Sequence, residues 1–275
     1  MQVKIINPNE DQYGNSKENI FIAFDDKENY LGSAYAYPNV NYHQTQDTPY
    51  LIFIDVNILE NMDNSLGDEV KKKLFDNVFS RAKELRLEKP ELKARIYAGF
   101  ENNSVKNEFY IKNGFEEDYT IIMETEIPKD FSYTVPENIT IEEMNFSINE
   151  EFEKYKSMYD EIFVSPLDKE QYEEQRKHNY FRNIAFYIDG KLQGGCTVFE
   201  KDGFGYIETV FVLSEQRGKG LSKEIMKYIF NYFLSNGLNK SRLEVWLLNK
   251  RAVRLYESFG YIEVEKKLMF PGITL

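Results

Sequence analysis

In the second half of the chain the apolar positions switch several times between a strand period and a helical one. Between Gly220 and Leu234 they fall at Leu221, Ile225, Met226, Ile229, Phe230 and Phe233, which places them on one helical face. Ahead of that helix, "NIAFYIDGKLQGGCTVFEK" and "FGYIETVFVL" are β-rich runs whose Asp-Gly punctuation predicts hairpins. "ITIEEM" predicts a short strand, and two acidic amphipathic helices are expected over residues 150–163 and 168–181. "SRLEVWLL" then predicts a buried strand, "KRAVRLYESFG" a short helix ended by Gly260, and "YIEVEKKLMF" one or two closing strands. The alternation implies a sheet covered by helices.

The first half runs in a similar order. "IFIAFDDKENYLGSAYAY" reads as a hairpin, "YLIFIDVNI" as a strand and "GDEVKKKLFDNVFSRAKEL" as an amphipathic helix. "KARIYAGF" is a further strand, and "NSVKNEFYIKNGF" a helix ending in glycine. Asn103, Tyr110 and Gly114 share their spacing with Asn249, Tyr256 and Gly260 at an offset of 146. Leu74, Phe75, Val78 and Phe79 match Ile225, Met226, Ile229 and Phe230 at an offset of 151. The two offsets predict two diverged copies of one fold. Residues 127–139 hold two prolines and little periodicity, which sets the expected domains at 1–130 and 131–275.

Composition narrows the function classes. The single cysteine, Cys196, excludes an intramolecular disulfide and a cysteine-cluster metal site, and no metal is expected. No apolar run nears the ~20 residues that cross a bilayer, and "MQVKIINPNED" lacks a secretory leader's pattern. A cytoplasmic, soluble chain is expected, with no membrane partner. A net charge of −12 argues against nucleic-acid binding. The acidity is uneven: 24 acidic against 15 basic side chains in residues 1–130, and 22 against 19 afterwards. Such a surface draws in a cationic substrate, and equally serves solubility.

The segment "VFVLSEQRGKGLSKEI" puts basic residues and glycines at the mouth of a helix. Free backbone N–H groups, the helix dipole and nearby Arg or Lys suit a phosphate or pyrophosphate there. An ordinary tight strand-to-helix turn has the same composition. Leu213 and Gly220 stand where a P-loop needs glycine and Ser/Thr, and Lys223 breaks a dinucleotide fingerprint starting at Gly218.

"VLSEQRGKGLSKEIM" closely resembles the acyl-CoA signature of the GNAT superfamily of N-acyltransferases, with Ser222 departing from the usual Gly or Ala. "VWLLNKRAVRLYESFGY" resembles the family's strand–Asn–helix–Tyr–Gly-Phe segment, and the likeness covers about residues 139–270. The resemblance implies an α/β (α+β) fold of two tandem GNAT-like domains, each a mixed, largely antiparallel twisted sheet flanked by helices. It implies acetyl-CoA or coenzyme A as co-substrate. The pyrophosphate would be held by Gln216, Arg217, Gly218, Lys219, Gly220, Leu221 and Ser222, and the pantetheine arm by the backbone of Val210 and Val212 and by Asn249. Tyr256 would protonate the leaving thiolate, or else be a core aromatic beside Ala252 and Phe259. Glu208, on the side of Val210 and Val212 by two-residue alternation, is the candidate base or an exposed strand carboxylate.

In the first copy the 151-residue offset places Gly67, Asp68 and Glu69 where Gly218, Lys219 and Gly220 stand. Two carboxylates there would repel a pyrophosphate, so this copy is expected to be degenerate and not to bind CoA. The expected function is transfer of an acetyl group from acetyl-CoA to a primary amine of an acceptor that the sequence does not name. Small amines, polyamines, aminoglycosides, amino acids and protein N-termini stay open, with the acidity of the first half tilting toward a small cationic molecule. The alternative is a non-catalytic CoA-binding or scaffold protein. Acceptor specificity would sit in a loop near residues 163–168 and a closing hairpin near 269–274, in a monomer or homodimer.

Overall fold

A computed structural model describes every residue except 1, 46, 61, 102, 145, 147, 148, 164 and 165. Its strands are β1 (Lys4–Ile6), β2 (Ile20–Phe24), β3 (Tyr30–Val40), β4 (Tyr50–Ile58), β5 (Ala94–Tyr97), β6 (Phe100–Glu101), β7 (Tyr119–Glu126), β8 (Ile139–Glu143), β9 (Arg182–Ile188), β10 (Lys191–Lys201), β11 (Phe204–Val212), β12 (Lys240–Trp246), β13 (Ile262–Met269) and β14 (Gly272–Thr274). Its helices are α1 (Asn64–Leu87), α2 (Ser104–Lys112), α3 (Asn149–Ile162), α4 (Lys169–Gln175), α5 (Leu221–Ser235) and α6 (Lys250–Glu257). The architecture is mixed α/β, with mixed sheets flanked by helices. The chain divides into two units: residues 1–119 with 268–275, and residues 120–267.

Unit 1 is a sheet in the order β1-β2-β3-β4-β5-β14. Its pairs are antiparallel except β4 with β5, which run parallel. Val70, Leu74, Phe75, Val78, Ala82 and Leu85 form the buried face of α1 and close the core over β2, β3 and β4. α2 starts at Asn103, whose side chain accepts from the Lys106 N–H. Its Tyr110 is fully enclosed among Phe75, Phe100, Phe109 and Phe115.

In unit 2 the sheet runs β13-β7-β12-β11-β10-β9-β8. The two Asp-Gly pairs close hairpins as expected: Asp189 and Gly190, and Asp202 and Gly203, all have positive φ, the geometry of a two-residue turn that follows the strands' twist. Every apolar residue assigned to the core face of α5 is buried. α4 is shorter than its expected 168–181: it ends at Gln175, and Tyr180, at φ 56, cannot continue a right-handed helix.

The structural division also departs from the sequence boundary at 130/131. β7 pairs with β12 along its length, from Thr120 opposite Trp246 to Glu126 opposite Lys240. At the other end, β14 pairs with β5 at Gly272–Tyr97, Ile273–Ile96 and Thr274–Arg95. Each unit therefore contains a strand from the other half of the sequence. The closing hairpin expected at 269–274 is not formed, because β14 belongs to unit 1 and does not return along β13. A physical cause is visible at Arg95, which is buried and donates to Thr274 Oγ1 at 3.1 Å, beside Asp118 at 3.4 Å.

Candidate active site

The site in unit 2 is built where two parallel strands part. β11 and β12 pair at Gly205–Ser241, Tyr206–Arg242 and Ile207–Leu243, and no further. β11 runs on to Val212, held on its other side by β10, with Val210 opposite Cys196 and Val212 opposite Gly194. The flank of residues 208–212 that faced β12 carries no strand among the described residues. Thr209 and Phe211 are buried while Val210 and Val212 are half-buried, so the two valines lie on one face of the parting strand.

Glu208 sits at the point of separation. The β10–β11 register slips there, from Thr197 opposite Thr209 to Val198 opposite Ile207, and leaves Glu208 without a partner on that side too. A bulge of this kind breaks the ladder and re-aims a side chain. Gln175 of α4 donates to Glu208 Oε1 at 2.8 Å. Burial raises the Glu208 pKa above the ordinary carboxylate value; Gln175 and Lys201 offset part of this, and the charge of Glu244 adds to it. Tyr159 and Tyr206 also feel the Glu208 charge, and both phenols are raised chiefly by burial.

Past Val212 the chain turns through a short 3-10 segment, Ser214–Gln216, into α5. Gly218 and Gly220 have φ of 76° and 92°, where a side chain is strained, and a Cβ on either would meet nothing within 4 Å. The N–H groups of Gln216, Arg217 and Lys219 bond to carbonyls within the loop. Those of Gly218, Gly220, Leu221 and Ser222 have no acceptor among the described residues. Four donors at a helix N-terminus form an anion cradle, and this is the test that an acyl-CoA pyrophosphate meets in this loop. Arg217 Nε donates to the Val212 carbonyl at 3.3 Å, and burial and nearby Arg251 both lower the guanidinium's pKa. The Lys219 side chain is exposed.

Asn249 caps α6, its Oδ1 accepting from the Ala252 N–H at 3.2 Å. Tyr256 lies about two turns further on, 8% exposed, with its ring 5.8 Å from that of Tyr261. Burial pushes its phenol up to about 12. Sequence reasoning missed Tyr206, two residues before Glu208 on the same strand, and Gln175, Tyr159 and Glu244, which meet Glu208 only through folding. A readable signal existed for one of them: Glu244 stands between Leu243 and Val245 in the apolar part of "RLEVW".

The same elements in unit 1 lack the loop. α1 begins at Asn64, capped by Asp63, so Gly67, Asp68 and Glu69 lie inside its first turns and not in a loop. β4 and β5 also part, after Phe53 and Tyr97, but Lys106 Nζ reaches Asp55 at 3.2 Å there. The loop near 163–168 expected to govern specificity includes residues 164 and 165, outside the described residues.

Residues 146–261 match the acetyltransferase (GNAT) family. The C-terminal region of this chain is a GNAT acetyltransferase domain. The protein is an acyltransferase. It is 28% identical to a thialysine N-epsilon-acetyltransferase from Bos taurus over 133 residues, 40% of this chain and 72% of that one. It is 28% identical over 83 residues to the uncharacterized N-acetyltransferase YobR of Bacillus subtilis (strain 168), covering 30% and 34% of the two chains. A probable N-acyltransferase from Enterococcus faecalis V583, a conserved protein of unknown function, shares the fold at a TM-score of 0.51 and 13% identity, over 91% of this chain and 61% of that one. Among the described residues no helix is long and apolar enough to cross a membrane, and no group of three His, Cys, Asp or Glu could hold a metal ion.

Proposed function

We propose that this protein transfers an acetyl group from acetyl-CoA to the primary amine of a small, cationic acceptor. One observation carries the reading furthest: a strand that parts from its neighbour and leads into four N–H groups without an intramolecular acceptor. Pantetheine would lie along Val210 and Val212 as a strand does, its pyrophosphate on residues 216–222 and its arm beside Asn249. The ammonium loses one proton to Glu208, directly or through water, and the neutral nitrogen attacks the thioester carbonyl carbon. The carbon–sulfur bond then breaks, and the thiolate takes the Tyr256 phenolic proton. A second proton leaves the new amide nitrogen and restores the Tyr256 phenol, so the ammonium and acetyl-CoA give amide, thiol and one proton, which Glu208 passes to solvent. The relatives named for the ε-amine of thialysine support an aliphatic amine as acceptor.

Unit 1 keeps the order of elements and the capping Asn, but not the loop, and we assign it no cofactor. The test is thiol release from acetyl-CoA in the presence of aliphatic amines. Amine-dependent release of CoA with a mass gain of one acetyl group on the amine is the expected result; CoA binding without transfer to any amine would favour the scaffold alternative.

A further inference from the structure

A second carboxylate stands beside Glu208. Ile207 and Leu243 are the last paired residues of β11 and β12, and both are buried on one face. Glu208 and Glu244 follow them, so both side chains leave by the opposite face at the point where the strands part. That face is aromatic: Tyr206 precedes Glu208 by two residues, and the rings of His178, Phe199 and Tyr206 are stacked in sequence at 4.7 and 5.3 Å. Glu244 has one hydrogen bond and one looser ion pair. Thr120 Oγ1 donates to its Oε1 at 2.6 Å, while Lys267 Nζ stands 3.6 Å from Oε2, beyond a hydrogen bond.

The groups that interact with Glu208, Gln175 by a hydrogen bond and the others electrostatically, come from several strands and helices. They are Gln175 of α4, Tyr159 of α3, Lys201 of β10, Tyr206 of β11 itself, Glu244 of β12 and Lys267 of β13. Two carboxylates side by side repel each other unless a cation lies between them. Glu208 alone is enough to take a proton, so a base does not need Glu244. An ammonium ion does need it, since its charge must be held before deprotonation and returns on nitrogen when the amine has attacked.

Resting on the N-acetyltransferase reading, we propose that Glu244 is a positioning and specificity residue that, with Glu208, selects acceptors whose reacting nitrogen arrives as an aliphatic ammonium. Amines that are uncharged at neutral pH gain nothing from the pair. Lys267 weakens the selection by sharing the Glu244 charge.

The experiment compares lysine, whose ε-nitrogen is cationic, with 4-methoxyaniline, uncharged at pH 7.5, in the 275-residue chain. In Glu244→Gln the KM for lysine should rise about tenfold, the factor that 1.4 kcal/mol of lost binding gives. Its kcat should change much less, and the KM for 4-methoxyaniline should not move. Lys267→Met, an exposed side chain that need not disturb folding, should lower the KM for lysine and leave the arylamine unaffected. Equal changes for both amines, or no change in either variant, overturn the proposal. So does a wild type that binds acetyl-CoA and prefers the arylamine, or acetylates neither. Calorimetric titration separates the two claims: no acetyl-CoA binding by the wild type sinks the underlying reading, whereas intact binding with unmoved KM values sinks Glu244 alone.

Discussion

Glu208 and Tyr256 each show how a residue's surroundings set its chemistry. Glu208 has no strand partner on either flank and is largely buried, so its proton affinity is raised chiefly by desolvation. A base of raised pKa is better matched to an ammonium, and Glu208→Gln should lower kcat/KM by about 10²-fold or more in steady-state assays. The same shift has a stability consequence. The folded state binds the proton more tightly than the unfolded one, so the stability it contributes is full below the ordinary glutamate pKa, about 4.3, and is lost as pH rises through the raised value. Glu208→Gln should therefore melt higher than wild type at pH 7, with the gap closing by pH 4; a gap independent of pH would refute this. Tyr256, with a phenol near 12, stays protonated at neutral pH and can only donate. Its counterpart Tyr110 is fully enclosed, and its hydroxyl has no hydrogen-bond partner among the described residues. Tyr256→Phe should lower kcat about 10²-fold with an unchanged acetyl-CoA Kd by calorimetry, whereas Tyr110→Phe should leave kcat alone. The glycine turn into α5 and the place of Tyr256 on a short helix were legible because their signal is local. Glu244 was not, since its place beside Glu208 depends on the register of strands 36 positions apart.

Among elements, α5 shows how a local pattern becomes tertiary structure. Its apolar stripe dictates both helix and orientation, and all six residues read from the sequence are buried. One close approach fixes where the helix crosses the sheet: a Cβ on Gly205 would stand 2.4 Å from the Phe233 ring. Gly205→Ala should destabilise by about 1–3 kcal/mol through overpacking, measured by urea melts, and Phe233→Leu should recover part of the loss in the double variant. Additive losses would show that the contact is not the cause. β7 was not legible in this way. "YTIIMETE" has the composition of a buried strand, but its partner β12 begins 114 residues after it ends. β14 has only three residues, too few to show a period.

Over the whole molecule, the two units exchange strands in sequence, so the family-matched segment 146–261 leaves out β7 and β8 of unit 2. A chain starting at residue 131 lacks β7 and leaves β12 without its seven paired positions from Lys240 to Trp246. An exposed edge in mid-sheet favours aggregation. Such a chain should aggregate or melt without cooperativity, while one starting at Tyr119 should recover a cooperative transition by circular dichroism. A cooperative, wild-type-like melt from the shorter chain would contradict the division. Only one unit has the glycine loop, which makes the central claim countable. Calorimetric titration of the full chain with acetyl-CoA should give one site per chain, abolished by Gly220→Glu. Two sites per chain, no binding at all, or binding that survives Gly220→Glu would contradict the account.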